Sequence, residues 1–206
     1  MTRADLMQNS LQQSSKVSRE HRNPFVWAYS STKEKWKNMR IGILGDTHDH
    51  ISYIRQAVAL LNEEAEGLFL HTGDFISPFV IPAIAGLEGE VIGVFGNNDG
   101  DRELLRERCT ETGNMRIEGN FYEMDCKGIR IALLHGHEKA LLADLIESGL
   151  FDLVVHGHNH RAAISVKGRT LVINPGEVCG YLTDKPSCAY YDTESKEGVI
   201  LPLERL

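Results

Sequence analysis

Short apolar runs alternate with longer amphipathic segments over most of the chain. The short runs hold four to six residues and end at Gly, Asp, Asn or His, which is typical of strands buried in a sheet. The alternation of strands with helices predicts an α/β fold. The predicted strands are Ile41–Leu44, Gly67–His71, Val91–Phe95, Ile129–Leu134, Leu153–His156, Ala163–Val166 and Thr170–Asn174, with a further pair at Cys188–Asp192 and Gly198–Pro202.

Apolar residues recur every three or four positions between these strands, as expected for helices that pack one face. The pattern is strongest in two segments, Ile51–Ala65 and Ala140–Ser148. In the first of them Ile54, Val58 and Leu61 share one face. Weaker patterns predict two more helices, at Ser77–Ala85 and Arg102–Thr110.

Residues 1–38 differ in kind from the rest of the chain. They are rich in Ser, Gln, Asn, Arg and Lys, and their seven basic and three acidic residues give a charge of +4. Their apolar residues follow no period and cannot offset the entropy of ordering. We therefore predict a disordered extension over 1–38 and one domain over 39–206. A second hypothesis is that Met39 is the true initiator, because the first predicted strand follows it directly.

Composition and charge narrow the class of protein. With 206 residues, 42% apolar and 25% charged, the chain can bury one sizeable core. Its formal charge of −7 argues against nucleic acid or an anionic membrane as the main partner. Four cysteines without CxxC spacing predict free thiols rather than a disulfide framework. No run approaches the roughly 18 apolar residues of a membrane helix, so we predict a cytoplasmic protein with no membrane partner.

Asp, Asn and His residues cluster directly after the predicted strands. The segments are GDTHDH, HTGD, GNND, HGH and HGHNH, and they contain eight of the nine histidines. Carboxyl ends of strands are where α/β folds place ligands. Imidazole nitrogens and carboxylate oxygens together suit Mn, Fe, Ni, Co or Zn, whereas Ca and Mg prefer oxygen alone. The ligand types therefore predict a transition-metal site.

Each segment alone is weak evidence, since Asp-x-His or Gly-His-x-His is more often a turn or a satisfied core histidine. Five in one order are hard to attribute to packing, because burying many ionisable groups without a metal is unfavourable. Asp46 and His48 lie two positions apart, as do His158 and His160. In an extended turn, each pair can face the same side and chelate one ion.

These segments also resemble the signature blocks of a known family, the calcineurin-like metallophosphoesterases. MRIGILGDTHDH, GNNDG and INPGEVCGYLT are similar to the small YfcE-type phosphodiesterases, especially the archaeal members. The resemblance runs from Met39 to the C-terminus and implies a four-layer α-β-β-α sandwich of two mixed β-sheets flanked by helices. It is carried by Asp46-Thr47-His48, Gly73-Asp74, Gly96-Asn97-Asn98-Asp99, His135-Gly136-His137 and Gly157-His158-Asn159-His160.

The resemblance implies two divalent transition-metal ions, with Mn favoured and Ni, Fe, Co or Zn as alternatives. Asp74 would bridge both ions. The ligands of one ion would be Asp46, His48, Asp74 and His160. The ligands of the other would be Asp74, Asn97, His135 and His158.

The implied activity is hydrolysis of a small phosphodiester by a hydroxide held between the two metals. Asn98 stands where many superfamily members carry a histidine that helps to protonate the leaving group, and an amide cannot act as that acid. Asp99 is expected to orient a neighbouring ligand or loop amide. The alternative is a protein-binding scaffold that keeps the fold with little catalysis. The resemblance also implies a homodimer.

Several residues near these segments match no ligand position. His50, His71, His137 and His156 are expected to support ligands, face the substrate or lie exposed. Arg102 and Arg161 are either phosphate contacts or solvated charges. The loop Asn174-Pro175-Gly176-Glu177 is predicted to lie beside the site.

Overall fold

The computed structural model describes residues 39–206, so the prediction for residues 1–38 lies outside the described part of the chain. The strands are β1 Arg40–Leu44, β2 Gly67–His71, β3 Gly89–Gly93, β4 Met115–Ile117, β5 Phe121–Cys126, β6 Ile129–Leu134, β7 Leu153–Val155, β8 Ala163–Lys167, β9 Thr170–Asn174, β10 Ser187–Asp192 and β11 Glu197–Pro202. The helices are α1 Ile51–Glu64, α2 Ile81–Ile84, α3 Arg102–Thr112 and α4 Lys139–Glu147, and a 3-10 turn, Pro78–Val80, precedes α2.

The strands form two mixed sheets. The first has six strands in the order β11-β10-β1-β2-β3-β4, and the second has five in the order β5-β6-β7-β9-β8. In the first sheet β1 to β4 run parallel, and β10 pairs antiparallel with both β1 and β11. In the second sheet β6, β7 and β9 run parallel between antiparallel neighbours at each edge.

Apolar side chains fill three separate layers. Between the sheets, residues such as Ile43 of β1 and Val155 of β7 form one core cluster. Helices α1 to α3 cover the other face of the first sheet through residues such as Leu61 and Leu105. Helix α4 covers the outer face of the second sheet through partly buried residues such as Leu145. This layering confirms the predicted α-β-β-α sandwich of two mixed sheets.

The helix boundaries follow from local chemistry. The ring of His50 caps α1 by accepting from the Tyr53 amide at 3.3 Å. Asp101 caps α3 by accepting from the Leu104 amide at 3.0 Å, and Gly113 ends that helix in a left-handed conformation with φ 78°. The longest described helix is α1, and no helix within residues 39–206 combines the length and apolarity needed to cross a bilayer.

Four elements differ from the sequence-based prediction. Strands β4 and β5 were not predicted, because β4 has three residues and β5 mixes polar and apolar side chains at a sheet edge. Strand β3 spans Gly89–Gly93 rather than the predicted Val91–Phe95, and it begins where Gly89 pairs with Gly67 of β2 too closely for a side chain. The predicted helix Ser77–Ala85 is broken into the 3-10 turn and α2, since Pro78 and Pro82 lack the amide protons of a continuous helix.

Candidate metal centre

The predicted ligands all lie in loops at the carboxyl ends of strands. The loops after β1, β2 and β3 come from the first sheet, and those after β6 and β7 come from the second. Because both sheets present these ends to the same region, residues far apart in sequence meet there. The structure brings together Asp46, His48, Asp74, Asn97, His135, His158 and His160.

The backbone of this region is strained where the ligands occur. A positive φ angle is uncommon outside glycine, and such residues concentrate at functional sites. The φ angles are 48° at Asp46, 40° at His48, 58° at Asp74, 72° at His158 and 62° at His160. These conformations turn the chain sharply, so that neighbouring side chains can face one centre.

One half of the cluster is built around the carboxylate of Asp46. Its Oδ1 atom lies 3.6 Å from His160 Nε2 and 3.9 Å from His48 Nε2. The same His48 nitrogen lies 3.4 Å from Asp74 Oδ2. These four side chains are the set predicted for one ion.

The other half is built around His135, which is fully buried. Its Nε2 atom lies 3.1 Å from Asn97 Oδ1 and 3.4 Å from Asp74 Oδ2. The His158 ring lies with its centroid 5.1 Å from that of His135. Asp74 Oδ2 therefore stands at the same distance from one imidazole of each half.

The donor set fits divalent metal ions. With metal–ligand bonds of about 2.0–2.2 Å, ligand atoms around one ion lie roughly 3 to 3.6 Å apart, which is close to the separations in both halves. Asp46 Oδ1 and His48 Nε2 are buried and have no hydrogen-bond partner among residues 39–206. A buried polar atom left unpaired costs about 1–3 kcal/mol, so a cation that these two atoms could share would remove that cost.

The carboxylates respond differently to burial. Burial raises the pKa of Asp46 to about 6. Burial would also raise the pKa of Asp74, but hydrogen bonds from His135 and Asn98 lower that pKa overall. Asp74, which lies between the two halves, therefore stays charged more readily than Asp46.

Hydrogen bonds fix the orientation of the ligand rings. His135 Nδ1 donates to the Thr72 carbonyl at 2.9 Å, and His160 Nδ1 donates to Glu177 Oε2 at 2.6 Å. In each ring the Nδ1 proton is held by this bond, so Nε2 is the nitrogen that is directed at the cluster. The His158 backbone amide donates to Asp46 Oδ2 at 3.0 Å and thereby links the two sheets.

The Gly96–Asp99 loop supports Asp74 from one side. Asp99 accepts from the backbone amides of Gly96 at 2.7 Å, Ile76 at 2.9 Å and Asp74 at 3.2 Å. The side-chain amide of Asn98 donates to Asp74 Oδ2 at 2.8 Å, and its backbone amide donates to Asp74 Oδ1 at 2.9 Å. Asn98 thus contacts the central carboxylate, a contact that the sequence did not predict.

Of the four extra histidines, His71 has the most contacts with the ligand loops. It is fully buried, stacks on Phe75 with centroids 3.7 Å apart, and accepts from the Gly73 amide through Nδ1 at 3.1 Å. Its Nε2 lies 3.4 Å from Thr47 Oγ1, which in turn donates to the Asp74 carbonyl. Burial lowers the pKa of His71 to about 3, so the ring is neutral and joins the loops after β1 and β2.

The remaining histidines lie at the edge of the cluster. His50 caps α1, as described above. His137 Nε2 lies 3.7 Å from Glu138, and the His137 ring lies 5.5 Å from that of His135. His156 is half-buried beside the Gly157 carbonyl, with its Nδ1 atom at 3.1 Å.

The two arginines have different surroundings. Arg102 donates to the Gly96 carbonyl at 2.8 Å and packs on the Phe95 ring, so its guanidinium supports the Gly96–Asp99 loop. Arg161 follows the ligand His160 directly and is exposed. Of the two, Arg161 is the better placed to meet an anion in solution.

The Asn174–Glu177 loop lies beside the cluster, through the contact of Glu177 with His160. Cys179, just beyond it, is buried and lies within 4.8 Å of ring nitrogens of His48 and His160. Burial raises the pKa of Cys179 to about 12, and its thiol donates to Glu177 Oε2 at 3.3 Å. Sequence reasoning missed the roles of Glu177 and Cys179, because a single Glu or Cys in a loop shows no spacing relative to its partners.

The chain is similar in sequence and in fold to several known proteins. The chain is 41% identical over 159 residues to a phosphodiesterase of Methanocaldococcus jannaschii, covering 77% of this chain and 96% of that protein. A solved structure of a novel archaeal phosphodiesterase has 40% identity and a TM-score of 0.76, covering 80% of this chain and 100% of that chain. The phosphoesterase YfcE from E. coli shares the fold at 18% identity and a TM-score of 0.58, covering 81% of this chain and 100% of that chain.

A family model, described as the calcineurin-like phosphoesterase superfamily domain, matches residues 39–196. The match includes every candidate ligand of the cluster and both sheets except the last strand. It confirms the resemblance that the sequence motifs indicated and the enzyme class, a hydrolase acting on phosphoric ester bonds. The chain belongs to the calcineurin-like phosphoesterase superfamily.

Proposed function

We propose that the protein hydrolyses small phosphodiesters using two divalent transition-metal ions that share Asp74. The observation that carries this proposal is the position of Asp74 Oδ2, which lies 3.4 Å from His48 Nε2 and 3.4 Å from His135 Nε2. A carboxylate placed between two imidazoles from different sheets suits a bridging ligand. When bound, the two ions would lower the pKa of a water towards neutrality and offset charge on the phosphate oxygens.

The protein's own residues have three tasks in this scheme. Asp46, His48 and His160 would hold one ion, and Asn97, His135 and His158 would hold the other. Buried hydrogen bonds from His135 Nδ1 to the Thr72 carbonyl and from His160 Nδ1 to Glu177 direct Nε2 of each ring at the cluster. The mixture of imidazole, carboxylate and amide oxygen suits Mn, Ni, Fe, Co or Zn, and the family resemblance favours Mn among them.

The substrate phosphate would meet the exposed side of the cluster. Asn97 and Asn98 are exposed there, and Arg161 follows the ligand His160. Amide and guanidinium donors can bind the non-bridging oxygens of a phosphate. Asn98 donates to Asp74, so it also helps to fix the bridging carboxylate.

The absence of an acid at position 98 determines which esters are good substrates. An asparagine amide does not supply a proton to a leaving oxygen, so aryl leaving groups should react much faster than alkyl ones. In the Asn98→His variant we expect the rate on an alkyl phosphodiester to rise by about tenfold or more, while the rate on an aryl diester changes little. Steady-state kinetics on matched methyl and p-nitrophenyl esters measures this.

Asn98→Ala is the control for this prediction, because it also removes the side-chain hydrogen bond to Asp74 but adds no acid. An alkyl rate in Asn98→His no higher than in Asn98→Ala would contradict the role assigned to position 98.

Metal binding should also stabilise the fold. Within residues 39–206, Asp46 Oδ1 and His48 Nε2 have no hydrogen-bond partner, so ions that bind them favour the folded state. Adding Mn²⁺ at a hundred times its dissociation constant should raise the free energy of unfolding by about 2.7 kcal/mol. Thermal melts of chelator-treated protein across a Mn²⁺ series measure the effect. Equal shifts in wild type and in an Asp74→Asn variant would show that the ions bind elsewhere.

The proposed activity is tested by removing metal and adding back Mn, Ni, Co, Mg or Zn. We expect hydrolysis of bis-p-nitrophenyl phosphate to be lost and then restored, with p-nitrophenyl phosphate, a monoester, hydrolysed more slowly. No turnover with any metal, despite bound ions, would favour the scaffold alternative. Faster hydrolysis of the monoester would contradict the preference for diesters.

A further inference from the structure

Glu177 is a buried carboxylate with both oxygens fully engaged. It lies on the loop between β9 and β10 and is 0% exposed. Its Oε2 atom accepts from His160 Nδ1 at 2.6 Å and from the Cys179 thiol at 3.3 Å. Its Oε1 atom accepts from Thr183 Oγ1 at 2.7 Å and from the Thr183 amide at 2.5 Å. The Leu182 amide lies 3.0 Å and 3.1 Å from the two oxygens.

The two oxygens of Glu177 therefore face different parts of the molecule. Oε2 is directed at the proposed metal ligand His160, Oε1 accepts both donors of Thr183 in the tip of a loop, and the Leu182 amide is shared between the two oxygens. The loop enters along the end of β1, where the Cys179 amide donates to the Asp46 carbonyl at 3.2 Å. Beyond that point, Glu177 accepts hydrogen bonds from the backbone amides of both Leu182 and Thr183.

The tip of this loop is exposed and apolar, and it lies at the edge of the cluster. Tyr181 is 62% exposed and Leu182 is 73% exposed. The Tyr181 ring lies 5.4 Å from the ring of His50, which is two residues from the ligand His48. A shift of this tip would change the surface that a substrate meets next to the metal ligands.

We propose that Glu177 is a positioning residue that orients His160 for metal binding and couples the binding of metal to the position of the loop Gly180–Thr183. The inference rests on the proposed metal centre. A metal-bound imidazole is a stronger hydrogen-bond donor through its other nitrogen, so metal at His160 strengthens the bond to Glu177. By thermodynamic linkage, if bound metal stabilises the position of the loop Gly180–Thr183, that position of the loop also increases the affinity for metal.

Only a carboxylate can fill this role. Glutamine has one acceptor oxygen, and its amide group would face donors on whichever side it is placed. In one orientation its NH2 group would face the His160 Nδ1 donor, and in the other orientation it would face the donors of Thr183. Aspartate is shorter by one methylene and cannot reach both partners at the observed distances.

The test compares Glu177→Gln with Thr183→Val in the full-length protein. Thr183→Val removes one donor from the loop but leaves the carboxylate on His160, so it is the matched control. Mn²⁺ affinity is measured by competition with a chelating dye. Glu177→Gln should weaken the binding of one ion by about 10- to 100-fold, and Thr183→Val should change it by no more than about threefold.

A second readout follows the loop directly by amide hydrogen exchange. In wild type, Mn²⁺ should slow exchange at Leu182 and Thr183, while the Leu142 amide on α4 should not respond. In Glu177→Gln this slowing should disappear. If Glu177 had only a structural role, Glu177→Gln would change the exchange rates of these two amides by the same factor with and without metal.

Three outcomes would overturn the proposal. Wild-type protein whose Leu182 and Thr183 amides do not respond to bound Mn²⁺ would remove the coupling, even if Glu177→Gln fails to fold. A folded Glu177→Gln variant with wild-type affinity for both ions would remove the orienting role. Wild-type protein that binds no metal would overturn the metal centre itself, and the first two results are distinct from that failure.

Discussion

An Asp74→Asn variant should lose at least about a thousandfold in turnover of bis-p-nitrophenyl phosphate. Asparagine has nearly the same shape as aspartate, but it replaces one carboxylate oxygen by an amide and removes the charge. An amide group in place of Oδ2 would oppose the side-chain amide of Asn98, and in place of Oδ1 it would oppose the Asn98 backbone amide. Steady-state kinetics and a metal count per chain measure the loss.

The loss should come with weaker binding of both ions, because both halves of the cluster share this residue. Asp144→Asn is the control, since Asp144 is exposed on α4 at the outer face of the second sheet. Asp74→Asn protein that keeps two tightly bound ions, or more than a tenth of the wild-type rate, would contradict the bridging role.

A Gly96→Ala variant should lose about a hundredfold or more in turnover, together with about 1–3 kcal/mol of stability. A methyl group at this position would collide with Asp74 Oδ1 and lie 2.6 Å from the Asp74 backbone nitrogen. The bridging residue and the Gly96–Asp99 loop cannot both keep their places. Activity assays and chemical denaturation report the two effects separately.

The control is Gly100→Ala, at the residue that directly follows this loop. At Gly100 the nearest atom to an added methyl group is the Ile76 carbonyl at 3.5 Å, an ordinary van der Waals contact. We expect near wild-type activity from this variant. If Gly96→Ala and Gly100→Ala behaved alike, close packing against Asp74 would not be the reason that glycine occupies position 96.

Much of the fold could be predicted because the buried strands are apolar throughout. Nine of the eleven strands in residues 39–206 were predicted from short apolar runs. The exceptions have no such run, since β4 has only three residues and β5 mixes polar and apolar side chains. The position of β3 depends on close packing of Gly89 against Gly67, and such a contact between strands has no local sequence signal.

The candidate ligands could be predicted because strand ends concentrate them and because their order resembles a known family. The residues that support them could not. Glu177 contacts His160, seventeen positions earlier in the chain, and its other partners include backbone amides that any residue would supply. The contact of Asn98 with Asp74 likewise depends on the loop conformation, which the sequence GNND does not determine.

The central claim is that two ions share Asp74, and anomalous diffraction from crystals grown with Mn²⁺ tests it most directly. We predict two peaks about 3.5–4 Å apart, each within bonding distance of an Asp74 oxygen. The peak on one side should also contact Asp46, His48 and His160, and the other should contact Asn97, His135 and His158. A single peak, or peaks that do not contact Asp74, would contradict the account.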